Sequence, residues 1–145
     1  MPFIRVYLHF VWATKNRIPF LCSETLRQAM WKHIEENARI KEIHTLNIGG
    51  YNDHCHCLIS LTKDQTISKI AQLLKGESSF WINRTDLLVE GFSKRKFEWQ
   101  KDYFVESVSP NLLPSIQNYI LSQEHHHTLP GFYDEYDKFL DEFDL

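Results

Sequence analysis

Three observations predict an α+β fold for this chain. Short β-branched and aromatic runs alternate with two stretches of helical periodicity, two of the runs are separated only by turn residues, and a further helical stretch follows the last run. The order is β-α-β-β-α-β and then a helix. Two crossover helices and a central hairpin suggest a ferredoxin-like layer, an antiparallel sheet with helices packed on one face, plus a C-terminal helix. No repeat, low-complexity segment or linker interrupts the 145 residues, so 1–145 read as one domain ending in an acidic tail, 132–145.

Each element has its own local signal. Residues 4–14, IRVYLHFVWAT, are rich in β-branched and aromatic side chains and read as a buried strand. Ser23 is a plausible N-cap, with Glu24 in the first turn of a helix running to about Arg39. Leu26, Met30, His33, Ile34 and Asn37 give that helix a partly apolar stripe. Residues 42–50 read as a second strand. Gly49, Gly50, Asn52 and Asp53 then turn the chain into a third, His54–Leu61, close enough for a hairpin. Residues 66–83 are helical, with Ile67, Ile70, Leu73 and Leu74 at helical spacing. A looser stretch containing Lys94, Arg95 and Lys96 leads to a short fourth strand, 103–108. Pro110 and Pro114 precede a helix over 115–125, and Phe132, Tyr136, Phe139 and Leu140 predict a short amphipathic helix in the tail.

Composition narrows the class. Hydrophobic residues make up 43% of the chain, enough for a packed core. The net charge of −3 is unevenly spread: the tail carries Asp134, Glu135, Asp137, Asp141, Glu142 and Asp144 against Lys138 alone. Residues 1–131 hold 15 bases and 13 acids, a net of +2, so the body is mildly basic. Cys22, Cys55 and Cys57 are an odd set without the spacing of a disulfide framework. With no signal-peptide pattern and no apolar run near the roughly 20 residues that span a bilayer, the expectation is a cytoplasmic protein without a membrane partner.

Two motifs can carry chemistry. Side chains alternate along a strand, so His54 and His56 share one face, roughly 7 Å apart at about 3.3 Å per residue. Two imidazoles so placed can grip one metal ion, while Cys55 and Cys57 face the opposite side, where small apolar groups suit a core. On the late helix, Tyr119 and Gln123 stand at i and i+4 and address one site together. Tyrosine is a competent covalent nucleophile once its proton can leave, and the carboxamide offers a neutral oxygen ligand. Read singly, each motif has an ordinary alternative: two histidines on a half-exposed strand, or a surface pair on an amphipathic helix.

Taken together and in order, five blocks resemble the HUH superfamily, and more closely its small single-tyrosine transposases of the simplest bacterial insertion sequences, with their REP-associated relatives. The blocks are YLHFVWATKNRIPFL, GGYNDHCHCLISL, ISKIAQLLKGESSFWIN, WQKDYFVESVS and IQNYILSQEHHH. Cys55 departs from the aliphatic or aromatic residue usual between the two histidines. The resemblance implies that His54, His56 and Gln123 hold Mg²⁺ or Mn²⁺ and that Tyr119 is the nucleophile, forming a 5′-phosphotyrosine. It also implies a single-stranded DNA substrate with hairpin ends, and a homodimer whose active sites are shared between subunits.

DNA contacts are expected from Lys15, Arg17, Lys75, Lys94, Arg95 and Lys96, whose charges would meet phosphates. Trp12, Trp81, Phe92 and Trp99 are candidates to stack on bases, with Trp12 also suited to the core. Metal ligation by His125, His126 or His127 is weakened because three consecutive residues diverge around a helix. Two further functions stay open: a rolling-circle initiator or relaxase, and a domesticated DNA-binding protein that no longer cuts. A plain ferredoxin-like binding module predicts instead that His54 and Gln123 lie far apart.

Overall fold

The apolar run VYLHFVWA makes β1 (Val6–Ala13), which is buried along six of its eight residues and sits inside the sheet. The computed structural model describes residues 2–89, 91–92, 94–129 and 134–142. β2 (His44–Tyr51) and β3 (His54–Leu61) form the expected hairpin across Asn52 and Asp53, and β4 (Phe104–Val108) closes the other edge. The order is β2-β3-β1-β4 with every neighbouring pair antiparallel. This is the predicted ferredoxin-like arrangement.

The two crossover helices cover one face. α1 (Glu24–Ile40) starts where predicted, with the Ser23 hydroxyl accepting from the Leu26 N–H. α2 (Ile67–Ile82) starts with Thr66 accepting from Lys69 N–H. Their buried stripes, including Leu26, Met30 and Ile34 on α1 and Ile70 and Leu74 on α2, pack on Leu8, Phe10, Trp12, Cys55, Cys57 and Ile59. Leu8, Phe10 and Trp12 pair across the strands with Ile59, Cys57 and Cys55, so all six side chains lie on one face. The cysteines therefore face the main core, as alternation requires.

The opposite face is covered by the end of the chain, further than the sequence suggested. The late helix begins at Leu113, after a 3-10 turn over Pro110–Leu112, and Pro114 lies inside its first turn. It breaks at Ser122, giving α3 (Leu113–Leu121) and α4 (Gln123–His127). α5 (Glu135–Glu142) places Tyr136 and Leu140 on Val11 and Ala13 of β1, while Ile120 packs on Leu58 and Val108. The expected tail helix is thus present; its Phe132 lies outside the described residues. Among the described residues, no helix is long and apolar enough to cross a membrane.

Gly49 sets how closely α3 approaches the sheet. A Cβ there would lie 2.7 Å from the Ile120 carbonyl oxygen, whereas one at Gly76 in α2 would meet nothing within 4 Å. Gly49→Ala must therefore push α3 off β2, costing about 1–3 kcal/mol. Gly76→Ala should stabilise by about 1 kcal/mol through helix propensity. Urea unfolding midpoints will show opposite displacements for the two variants; equal displacements would refute the close approach at Gly49.

Candidate active site

The face covered by α3, α4 and α5 gathers the predicted residues within one chain. His54 and His56 are 2% and 0% exposed, so they are not surface histidines. His54 Nδ1 lies 2.9 Å from Asp53 Oδ1 and its Nε2 3.1 Å from Gln123 Oε1. That same oxygen lies 3.1 Å from His127 Nε2. Tyr119 stands with its ring 5.4 Å from His56, nearly perpendicular, and its hydroxyl is buried without a hydrogen-bond partner. His56 Nε2 is likewise buried and unpartnered. The helix break at Ser122 does not separate Tyr119 from Gln123, whose amide donates to the Tyr119 carbonyl at 3.4 Å.

Residues outside the predicted set complete the surroundings. His9 of β1, fully buried, meets His56 Nδ1 through its Nε2 at 2.9 Å. Its only sequence signal is a lone polar residue on an apolar strand, sharing the parity of Val11 and Ala13. His127 turns inward and stacks on Tyr51 at 4.9 Å while His125 faces solvent, the divergence expected of consecutive helical residues. His54, His127 and Asp137 each offer a ligand atom within 4.8 Å of the others. Nothing local in the acidic tail marks Asp137, because it reaches the site only through the docking of α5.

Two arginines hold this assembly. Arg17, expected on DNA, pairs with Asp53 at 3.1 Å, Asp137 at 3.2 Å and Asp141 at 2.7 Å. It therefore ties the 3-10 turn after β1 to the hairpin turn and to α5. Burial opposes the Arg17 charge, but these carboxylates outweigh it and raise its pKa. Burial likewise pushes the Asp53 carboxyl up, and His54 and Arg17 pull it below its ordinary range. Arg27, 4% exposed, makes a paired contact with Glu124 at 2.7 Å and donates to Leu21 O and Asn52 Oδ1, joining α1 and α4 to the hairpin turn.

The other expected DNA contacts fall elsewhere. Lys75 Nζ donates to the carbonyls of Lys101 and Asp102, and burial lowers its pKa to about 8. Lys15 lies 3.4 Å from Glu98. Lys94, Arg95 and Lys96 are exposed, and Lys15, Arg95 and Lys96 line one 410 Å³ cavity. Trp12 and Trp99 are buried edge-to-face partners, Trp81 stacks on His33, and Phe92 packs on Phe20. An aromatic outside that set, Phe80, is 54% exposed with Arg84 over its ring.

The donor set fits a divalent ion that prefers nitrogen and oxygen. Two ligands cis to each other at about 2.1 Å from an octahedral ion lie about 3 Å apart, the separation of Gln123 Oε1 from both His54 Nε2 and His127 Nε2. Asp53 accepting from His54 Nδ1–H leaves Nε2 to act as a ligand. Asp137 is a weaker donor, since its two oxygens already accept from Arg17 and from the Asp134 backbone.

Residues 3–123 match the family model described as IS200-like transposase. The chain belongs to the IS200-like transposase family. Among solved structures, this transposase is similar to a protein from Deinococcus radiodurans described as a candidate transposase. The two are 22% identical, with a TM-score of 0.60 and coverage of 85% of this chain and 95% of that one. It is also similar to a REP-associated tyrosine transposase bound to a REP hairpin. There the identity is 16%, the TM-score 0.62, and coverage is 92% of this chain and 73% of the other. At these identities both likenesses show the fold. Among curated proteins, none matches this transposase by sequence.

Burial of the histidines makes stability depend on pH. Burial lowers His9 to about 4, and burial followed by the neighbouring histidines lowers His56 well below its ordinary value. The unfolded chain takes up these protons near pH 6.5, whereas the folded site refuses them until far lower. Stability should therefore fall as pH drops from about 6.5 towards 4, with His9 contributing up to about 3 kcal/mol at the low end. Denaturation at pH 7 and pH 4.5 will show a shallower loss in His9→Gln than in wild type. Identical losses would show that His9 is not held neutral.

Proposed function

We propose that this transposase cleaves and rejoins single-stranded DNA at insertion-sequence ends through a covalent bond to Tyr119. One observation carries the reading: Tyr119, His54, His56 and Gln123 converge on one sheet face of one chain, with His54 and Gln123 in direct contact. The plain binding-module alternative expects that pair apart. A rolling-circle initiator or relaxase would share the histidines and the tyrosine, and the match over residues 3–123 favours the transposase.

His54, His56 and Gln123, joined by His127, would hold Mn²⁺ or Mg²⁺. Bound there, the ion would supply positive charge to offset the negative charge developing on the scissile phosphate. The residues do the rest. The Tyr119 oxygen loses its proton and forms a bond to phosphorus, and the bond from phosphorus to the 3′-oxygen breaks. The departing oxygen takes up a proton as a 3′-hydroxyl, and the 5′-phosphate stays on the tyrosine. Attack by the 3′-hydroxyl of another strand reverses the step and joins the strands without a nucleotide cofactor.

Phosphate contacts fall most readily to the exposed Lys94, Arg95 and Lys96, joined by Lys15 on release from Glu98. Arg17 and Lys75 would first have to exchange their present partners. The substrate is single-stranded DNA with hairpin ends, encountered in the cytoplasm. Pairing into a homodimer is part of the reading, although Tyr119 reaches His56 without help from a second subunit.

Incubation with Mn²⁺ and hairpin-bearing single-stranded DNA, resolved on a denaturing gel, tests the assignment. Wild type should yield a protein–DNA adduct and Tyr119→Phe none. His56→Ala should keep its thermal transition while cleavage falls about 10²–10³-fold. An adduct that survives in Tyr119→Phe would move the nucleophile to another residue.

A further inference from the structure

A line of three polar residues crosses the sheet at the site, and two of them, His9 and Glu106, have no part in the chemistry above. His56 is on β3, His9 on β1 and Glu106 on β4, the strands being consecutive in the sheet. Val11 pairs with His56 and His9 with Glu106, so all three side chains lie on the site face, with His9 diagonal to His56. His9 Nε2 is 2.9 Å from His56 Nδ1, and His9 Nδ1 is 3.9 Å from Glu106 Oε1. Glu106 is held by the Tyr136 hydroxyl, which donates to the same oxygen at 2.5 Å.

A single proton lies between the two rings, and its owner decides which nitrogen of His56 faces the site. If His9 donates, His9 Nδ1 turns a lone pair towards the Glu106 carboxylate. His56 Nε2 must then carry a hydrogen that is buried and finds no acceptor. If His56 donates, His9 accepts at Nε2 and carries its own hydrogen on Nδ1, 3.9 Å from the carboxylate. His56 Nε2 is then a bare lone pair aimed at the site. The second arrangement replaces a repulsion between the His9 Nδ1 lone pair and the carboxylate by an attraction at 3.9 Å, and it moves the N–H that lacks a hydrogen-bond partner from His56 Nε2 to His9 Nδ1, beside the carboxylate.

We infer that His9, backed by Glu106, is a positioning residue that holds His56 in the tautomer protonated on Nδ1, with Nε2 free to act as a donor atom towards the site. The inference assigns His9 a role distinct from packing, and it concerns His56 whether or not an ion is bound. Its value as a ligand relay rests on the metal reading proposed above.

Long-range proton–nitrogen correlation NMR of histidine-labelled, metal-free protein reads the tautomer directly, with the His56 signals identified by their loss in His56→Gln. Wild type should show His56 protonated on Nδ1. His9→Phe, which removes the acceptor, should shift His56 towards the Nε2-protonated form. His9→Gln, which returns a carbonyl acceptor, should restore the wild-type pattern. By titration, Mn²⁺ affinity should fall about 10–100-fold in His9→Phe and recover in His9→Gln. A wild-type His56 protonated on Nε2, or a tautomer indifferent to His9→Phe, overturns the inference. If His9→Phe does not fold, the wild-type and His9→Gln spectra still decide it. Wild type that shows the Nδ1 tautomer but takes up no Mn²⁺ upholds the inference and removes the metal reading instead.

Discussion

His54 and Gln123 are 69 residues apart in the chain and meet at 3.1 Å. That contact depends on the period of two in β3, which turns His54 and His56 away from the cysteines and the main core. It depends equally on α3 and α4 lying down on the face so exposed. If either failed, two imidazoles would stand in water opposite an unattached tyrosine. The rest of the site follows from the contact. Gln123 carries His127 with it, Tyr119 is drawn over His56, and the hairpin turn brings Asp53 under the first histidine.

The sheet face is closed by charge as well as by packing. Among the described residues, α5 sets Tyr136 and Leu140 on β1 and stacks Phe139 on Phe104 of β4, a small apolar contact for a free-standing helix. Arg17 compensates by drawing Asp53, Asp137 and Asp141 to one guanidinium, so the acidic end of the chain docks on its own body. Asp53 thereby belongs to two systems at once, as hydrogen-bond partner of His54 and as one of three anions around Arg17.

Most of this frame was legible in the sequence because it rests on short-range rules. Alternation assigned the faces of β3, Ser23 announced α1, the spacing of Ile67, Ile70, Leu73 and Leu74 announced α2, and Asn52 and Asp53 marked the hairpin. The i, i+4 spacing paired Tyr119 with Gln123 even though the helix breaks between them. What stayed hidden came from contacts without a local signature. The partner of His9 is decided by register across two strands, and that of Arg17 by the docking of α5. His127 follows Gln123 at the same i, i+4 spacing, a signal that the reading of the three late histidines as diverging did not take up. Lys75 looked like a surface cation because nothing nearby in sequence reveals the carbonyls it meets.

The separation of the two sheet faces has a practical consequence. β1 and β3 alternate residue by residue between a wholly apolar interior and the polar cluster, so neighbouring codons serve unrelated ends. Sequence drift at Phe10, Trp12, Cys55 or Cys57 can be tolerated or rejected on volume alone. Drift one position away, at His9, His54 or His56, is judged by hydrogen bonding. The protein can therefore be hardened against heat through one set of positions without retuning the other, which recommends it as a scaffold for directed change.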